Sequence, residues 1–243
     1  METATARLKD CPSPQRKKPE GATDCVMPAT GTFLKPPRAA AIAGMIFSIL
    51  VGSGLVIFRL SVPDYRTDTG AWMSDPVRRN AARFAIQLVP FAGIAFLWFI
   101  GVLRNRLGEL EDQFFATVFL GSGLLFVGSL FASTALFASL IETGVTDGVN
   151  LMNSDAYRLA RRVAGTCINI FAIKMAGVFT ISVSTIVLRT KILPRWVAFS
   201  GYGCAAVLLM AITNWPWIAI LFPFWIFVVS SRILFREYVP PPL

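Results

Sequence analysis

The chain contains no histidine, and few of its residues are charged. Lys, Arg, Asp and Glu make up 15% of the 243 residues, whereas an ordinary soluble domain has about 25%. Without imidazole the chain has no histidine metal ligand, no histidine-ligated haem, no Ser-His-Asp hydrolysis and no histidine proton relay. The four cysteines show no Cys-x-x-Cys spacing, which argues against a zinc site and a disulfide framework. We therefore expect no metal and no cofactor, and we expect Cys167 and Cys204 to be buried, inert thiols.

Carboxylates are missing from the interior of the apolar stretches as well. The acidic cluster of Glu109, Glu111 and Asp112 lies in a short loop close to Arg104 and Arg106, where a neutralised turn is the simplest interpretation. Acid-base catalysis needs paired titratable groups, and nucleophilic catalysis needs a base beside the nucleophile. The sequence shows neither arrangement and predicts a protein that is not an enzyme.

Apolar residues are abundant, at 55% of the chain, and the mean hydropathy is +0.61. A bilayer core needs roughly 20 apolar residues per helix. Six stretches qualify, the last two being short and tightly joined: about 39–60, 84–103, 114–141, 164–188, 196–213 and 217–233. The sequence predicts an all-α, polytopic transmembrane helix bundle of about six spans at residues 39–234. Residues 1–38 should be a disordered basic tail, and residues 235–243 a short C-terminal tail.

The distribution of Lys and Arg predicts the orientation of the bundle. More of these residues fall on the side that includes the N-terminal tail, which favours a cytoplasmic membrane protein with both termini cytoplasmic. The excess becomes small when only residues near helix ends are counted. The net charge of +9 favours attraction to anionic lipid head groups over nucleic acid, because the cations are scattered between apolar segments.

The second and fourth apolar stretches have similar flanks. SDPVRRNAARF and SDAYRLARRV precede them, and VLRNRL and VLRTKIL follow them. The similarity indicates either a parallel repeat of helical hairpins, helices 2–3 and 4–5, or a chance likeness between two apolar helices with basic ends. Each Ser-Asp pair predicts a helix start. The first turns then carry basic residues that bind lipid head groups or, alternatively, gather an anionic solute: Arg79, Arg83, Arg158, Arg161 and Arg162.

Lys174 lies near the centre of the fourth apolar stretch, where an ammonium costs about 2.5 to 3.5 kcal/mol on insertion-based scales. One hypothesis places it in a polar cavity, where it binds an anion. The other pairs it with carbonyls or hydroxyls of neighbouring helices. The candidate companions of Lys174 at a binding site are Asn169, Gln87 and Tyr202, with Ser200 as a further neighbour.

The first apolar stretch has small residues at every fourth position, including Gly44, Ser48 and Gly52. This spacing lets two helix backbones approach closely. It predicts helix packing, either within the bundle or against a membrane protein partner or a second copy of the chain.

The stretch LPFAGIAFLWFIGVLRNRLGELEDQFFATVFLGSGLLF, together with KMAGVF, VLRT and LPRW, resembles a family of uncharacterised multi-pass integral membrane proteins from actinobacteria. The resemblance implies location and architecture, but no functional residue. Our leading hypothesis is a non-enzymatic protein that binds or assembles with lipids or membrane partners. The alternative is a small transporter or channel that uses Lys174 as an intramembrane counter-ion for an anionic or neutral solute. A membrane-embedded enzyme would need partner residues that the sequence does not show.

Overall fold

The computed structural model describes residues 36–64, 70–107, 113–147, 154–190, 193–210 and 217–238. Within these ranges the chain is built from helices and their connecting turns, and contains no strand. The long elements are α1 (Pro36–Ser61), α2 (Pro76–Leu107), α3 (Gln113–Asp147), α4 (Asp155–Thr166), α5 (Ile173–Thr190), α6 (Arg195–Met210) and α7 (Leu221–Tyr238). A π-helical segment, Cys167–Ala172, joins α4 to α5 without a break.

Within the described ranges, five helical segments are long and apolar enough to cross a membrane: Arg38–Ser61, Pro76–Arg104, Thr117–Val145, Asp155–Arg189 and Ile218–Phe235. The prediction of an all-α polytopic bundle is therefore confirmed. The sixth apolar helix, α6, has 16 residues and measures about 24 Å at 1.5 Å per residue, which is less than a bilayer core of about 30 Å. The six predicted spans thus become five full-length segments and one short helix.

The two Ser-Asp pairs begin helices, as the sequence predicts. The Asp75 carboxylate accepts a hydrogen bond from the backbone N–H of Val77 at 2.9 Å, one residue after Pro76 opens α2. The Ser154 hydroxyl accepts from the N–H of Tyr157 at 3.2 Å at the start of α4. Both bonds satisfy N–H groups that have no partner within their helix.

The boundaries of the two predicted tails can be compared with the helices in part. Helix α1 begins at Pro36 and α7 ends at Tyr238. The predicted tails, 1–38 and 235–243, therefore each overlap a helix by about one turn. The rest of the predicted tails lies outside the described residues.

The core is an aromatic cluster formed by five helices. Phe96 of α2 has its ring centroid 4.5 Å from that of Phe47 and 5.1 Å from that of Phe179. Phe126 lies 5.3 Å from Phe96 and 4.9 Å from Phe222. These side chains are buried, and their tilted and edge-to-face arrangements are the geometries that aromatic rings prefer.

The small residues of α1 pack inside the bundle. A side chain at Gly44 would collide with Ser230 of α7 and Phe99 of α2, and Ser48 is buried with its hydroxyl donating to the Gly44 carbonyl at 2.8 Å. Gly52 has open space around it. The close approach that the spacing predicts therefore occurs between α1 and its own neighbours at Gly44.

Candidate functional site

A cationic side chain near the end of α1 reaches the π-helical segment of the fourth span. Nη2 of Arg59 donates a hydrogen bond to Oδ1 of Asn169 at 3.2 Å. Asn169 lies in the middle of Cys167–Ala172, and single π turns in long helices occur often at functional sites. The bond orients Asn169 with its amide nitrogen toward Gly165, where that nitrogen lies 3.8 Å from the position that a Cβ atom would take.

A second guanidinium lies beside the first. Arg161 of α4 is 6% exposed, and its Nη2 donates to the backbone carbonyl of Pro63 at 2.7 Å. Its guanidinium carbon stands 4.9 Å above the ring of Phe137, a cation–π contact. Arg59 interacts electrostatically with both Arg161 and the carboxylate of Asp64. The sequence predicts head-group contact for Arg161, whereas the structure buries its side chain between α1 and α3.

These groups line one pocket at the end of the bundle where α1 ends, which we call the arginine pocket. Among the described residues, its charged lining side chains are Arg59, Arg161 and Asp64, and their formal charges sum to +1. Guanidinium groups carry only hydrogen-bond donors, and the amide nitrogen of Asn169 is also a donor. The free volume of about 40 Å³ has room for roughly three waters. The chemistry of the pocket is suited to an oxyanion.

Two apolar cavities adjoin the arginine pocket. The first lies between α1, α2 and α3, and its lining includes Val89 and Thr134. The second is lined by α1, α3, the fourth span, α6 and the start of α7, and its lining includes Ala219. Leu55 and Ile168 line the arginine pocket and both cavities. The donor-rich arginine pocket therefore shares Leu55 and Ile168 with two separate apolar cavities.

Lys174 contacts α6 and is not among the lining residues of the arginine pocket. Its ammonium donates to the backbone carbonyls of Leu208, at 3.3 Å, and Leu209. These carbonyls belong to the last described turn of α6, and the C-terminal end of a helix dipole attracts a cation. Gly177, one turn beyond Lys174, lets this end approach, since an added Cβ would lie 2.9 Å from Cγ of Leu209.

The four predicted binding residues have different partners. Asn169 bonds to Arg59, and Lys174 bonds to the end of α6. The hydroxyl of Tyr202 lies 2.7 Å from Oγ1 of Thr185, while Gln87 is exposed on α2. Asn169 is the predicted residue that lines the arginine pocket, and the others are not among its lining residues.

The remaining arginines of the two helix starts have varied surroundings. Nη1 of Arg79 donates to the carbonyl of Met73 at 3.0 Å and so joins α2 to a preceding 3₁₀ turn. Arg158 and Arg162 are exposed, and Arg158 forms a long ion pair of 3.9 Å with Asp155. Arg83 is half-buried. The head-group contacts predicted for these exposed side chains stay a prediction.

The thiols differ in burial, and no metal site is evident. Cys204 is buried, as the sequence predicts, whereas Cys167, the first residue of the π-helical segment, is only half-buried, so the prediction of a buried thiol is wrong there. Among the described residues, no three His, Cys, Asp or Glu side chains form a group that could hold a metal ion.

The chain has no significant match among protein-family models, curated proteins or solved structures. The resemblance to actinobacterial membrane proteins therefore stays a prediction. Support for a function comes from the chemistry of the residues themselves.

Sequence reasoning missed the role of Arg59. In the sequence Arg59 is one of many basic residues at the end of an apolar stretch, and such residues commonly extend to lipid head groups. Its partner Asn169 is 110 residues away. The polar side chain of Asn169 within an apolar stretch was the available signal, and it identified one half of the contact.

Proposed function

We propose that the protein is a non-enzymatic membrane protein that binds an anionic lipid, with the head group in the arginine pocket. The observation that carries the proposal is the pairing of Arg59 with Asn169 beside the buried Arg161. Three donor-bearing side chains converge there, and the formal charges of the lining residues that the structure describes sum to +1. An anionic oxygen on a lipid supplies both the acceptors and the compensating charge.

The location of the pocket along α1 supports a lipid over a free anion. Arg59 is the third residue from the end of α1, the region in which basic side chains reach the head-group layer. Val51 lines both apolar cavities and precedes Arg59 by eight residues, or about 12 Å along a helix. Polar chemistry at the helix end and apolar space deeper along the same helix match the two parts of a lipid molecule.

Lipid retention by purified protein tests the proposal. The protein is exchanged into mild detergent containing phosphatidylglycerol, and the bound lipid is quantified by native mass spectrometry. Arg59→Gln should weaken retention roughly ten- to a hundredfold, because a charge-assisted hydrogen bond contributes about 1.5 to 3 kcal/mol. Arg161→Gln should act in the same direction. The matched control is Arg104→Gln, since Arg104 of α2 is exposed and is not among the described lining residues of the arginine pocket.

A further variant keeps the charges of both Arg59 and Arg161. Gly165→Leu directs a side chain toward the arginine pocket, and its Cβ would meet only the Asn169 amide nitrogen, at an ordinary contact distance. It should lower retention while the thermal unfolding temperature stays near that of the native protein. The control is Gly128→Leu on the exposed side of α3. Equal retention in Gly165→Leu, Arg59→Gln and the native protein would contradict the proposal.

Transport of a solute with Lys174 as counter-ion stays a prediction. The ammonium donates to two carbonyls of α6, and this contact accounts for its presence in the apolar stretch without a solute. We therefore favour lipid binding as the function.

A further inference from the structure

We infer that Asp64 makes the arginine pocket selective for a monoanionic phosphodiester over a dianionic phosphate monoester. This inference rests on the proposed function and adds the class of phosphate that the pocket takes. Asp64 lines the pocket beside the two guanidinium groups. An ionised carboxylate is an acceptor only, so it offers an oxyanion no hydrogen bond, and its effect on such a ligand is electrostatic.

Asp64 follows the end of α1 in a short connection that two hydrogen bonds hold in place. The N–H of Val62 donates to the carbonyl of Phe58 at 2.9 Å, and Nη2 of Arg161 donates to the carbonyl of Pro63 at 2.7 Å. The side chain of Val62 is buried, whereas Asp64 is exposed although it lines the pocket. The carboxylate is therefore held at the rim of the arginine pocket.

The carboxylate and a ligand phosphate interact with the same cations. Arg59 is attracted by Asp64 and repelled by Arg161, so the carboxylate compensates part of the positive charge when no ligand is bound. An oxyanion in the pocket takes over this compensation, and Asp64 then repels the oxyanion. Like charges that share one site disfavour each other. Asp64 thus opposes the binding that the two arginines favour.

The charge of the phosphate decides how strongly Asp64 opposes binding. Coulomb energy is proportional to the ligand charge, so the repulsion by Asp64 is twice as large for a dianion as for a monoanion. A dianion also loses more hydration energy than a monoanion when it leaves water. The formal charges of the lining residues that the structure describes sum to +1, which a monoanion neutralises and a dianion exceeds. The fitting ligand is therefore a phosphodiester.

The size of the pocket determines which lipids are suitable probes. A free volume of about 40 Å³ holds a few oxygen atoms, so the probes should differ at the phosphate and nowhere else. Phosphatidylmethanol is a phosphodiester with one negative charge. Phosphatidic acid lacks only the methyl group and is a monoester, a class whose second pKa is about 6 in phosphorylated side chains, so we expect it to be mainly dianionic at about pH 8.5.

Titration of the two lipids at low ionic strength tests the inference. The purified protein is equilibrated with each lipid in mild detergent, and the bound lipid is extracted and quantified by mass spectrometry. The native protein should bind phosphatidylmethanol several-fold more tightly than phosphatidic acid. Asp64→Asn removes the charge and keeps the shape of the side chain, so the affinity for both lipids should rise. A rise of about threefold for phosphatidylmethanol should accompany one of about ninefold for phosphatidic acid, because doubling the ligand charge doubles the electrostatic free energy.

Two further variants serve as controls. Asp64→Glu keeps a carboxylate and should keep the native preference. Glu142→Gln changes the net charge by the same amount at an exposed residue of α3 that is not among the described lining residues, and it should leave the ratio of affinities unchanged.

Thermal unfolding with and without lipid distinguishes this role from a structural one. Without lipid, Asp64→Asn should unfold at a lower temperature than the native protein, because the repulsion between Arg59 and Arg161 is then less compensated. Phosphatidic acid should raise the unfolding temperature of Asp64→Asn more than that of the native protein, since tighter binding stabilises more. A carboxylate that only supports the fold would give lower stability together with weaker binding.

The outcomes separate the inference from the proposed function. Unchanged or weaker lipid binding by a folded Asp64→Asn protein, or an equal rise for the two lipids, would overturn the inference and leave lipid binding in place. If Asp64→Asn does not fold, the native protein decides, and a preference for phosphatidic acid would overturn the inference. Binding of neither lipid by the native protein, or displacement of both by excess inorganic phosphate, would overturn the proposed function itself.

Discussion

Lys174 shows how one side chain can donate hydrogen bonds to backbone carbonyls at the end of a helix inside an apolar region. The ammonium donates to two carbonyls in the last described turn of α6, those of Leu208 and Leu209. The energetic cost of placing a cation there is offset by hydrogen bonds and by the negative end of the helix dipole. Because the partners are backbone carbonyls, no acidic side chain is needed at this depth.

We predict that Lys174→Met destabilises the bundle by about 1 to 3 kcal/mol, the penalty for leaving buried carbonyls without a donor. Lys174→Arg should restore most of the loss because it retains the cation. Unfolding in mixed detergent micelles measures both changes. Solute uptake into vesicles is recorded in parallel. The counter-ion hypothesis requires uptake that Lys174→Leu abolishes while stability is retained, and a stable Lys174→Met protein would contradict our structural explanation.

At the scale of the helix, the π-helical segment determines where the arginine pocket forms. The hydroxyl of Ser133 in α3 donates to the carbonyl of Ala164 at 2.8 Å, three residues before the segment begins at Cys167. A π turn shifts the hydrogen-bonding pattern of the helix, and the Ala164 carbonyl accepts from Ser133 in addition to the backbone N–H of Cys167. We infer that this contact holds the fourth span in the register that brings Asn169 to Arg59.

Ser133→Ala should therefore reduce stability by about 0.5 to 1.5 kcal/mol, the typical net contribution of a hydrogen bond, and should also lower lipid retention. The control is Ser139→Ala in the same helix, because Ser139 is exposed and its hydroxyl donates to the Ala135 carbonyl of its own helix at 3.0 Å. Lipid binding by native mass spectrometry and unfolding by heat are the measurements. Loss of stability without any loss of lipid would show that the contact does not position Asn169.

The elements that the sequence predicts well depend on local physics. Ser154 and Asp75 begin helices through contacts with backbone N–H groups two or three residues away. The length of an apolar run can likewise be read directly from consecutive residues. The π-helical segment and the bond from Arg59 to Asn169 depend on neighbours that are distant in sequence, so no local pattern contains them. Asn169 was identified because it is polar in an apolar stretch, whereas Arg59 resembled any basic residue at a helix end.

For the whole molecule, the helices are held together by packing more than by exclusion of water, because lipid chains are as apolar as the side chains they replace. The aromatic cluster around Phe96 takes rings from α1, α2, α3, α5 and α7. Close ring contacts of this kind contribute beyond the buried area. The cluster therefore links most of the bundle through one side chain.

Phe96→Ala should consequently destabilise the whole bundle by roughly 3 to 5 kcal/mol, the usual cost of a cavity where a buried Phe stood. The control on the same helix is Phe91→Ala, since the Phe91 side chain is 64% exposed and faces away from the cluster. Unfolding monitored by tryptophan fluorescence gives the comparison. If both substitutions have the same small effect, the rings do not hold the helices together. A large effect of Phe96→Ala alone, with one cooperative transition, is expected because five helices lose a contact at once.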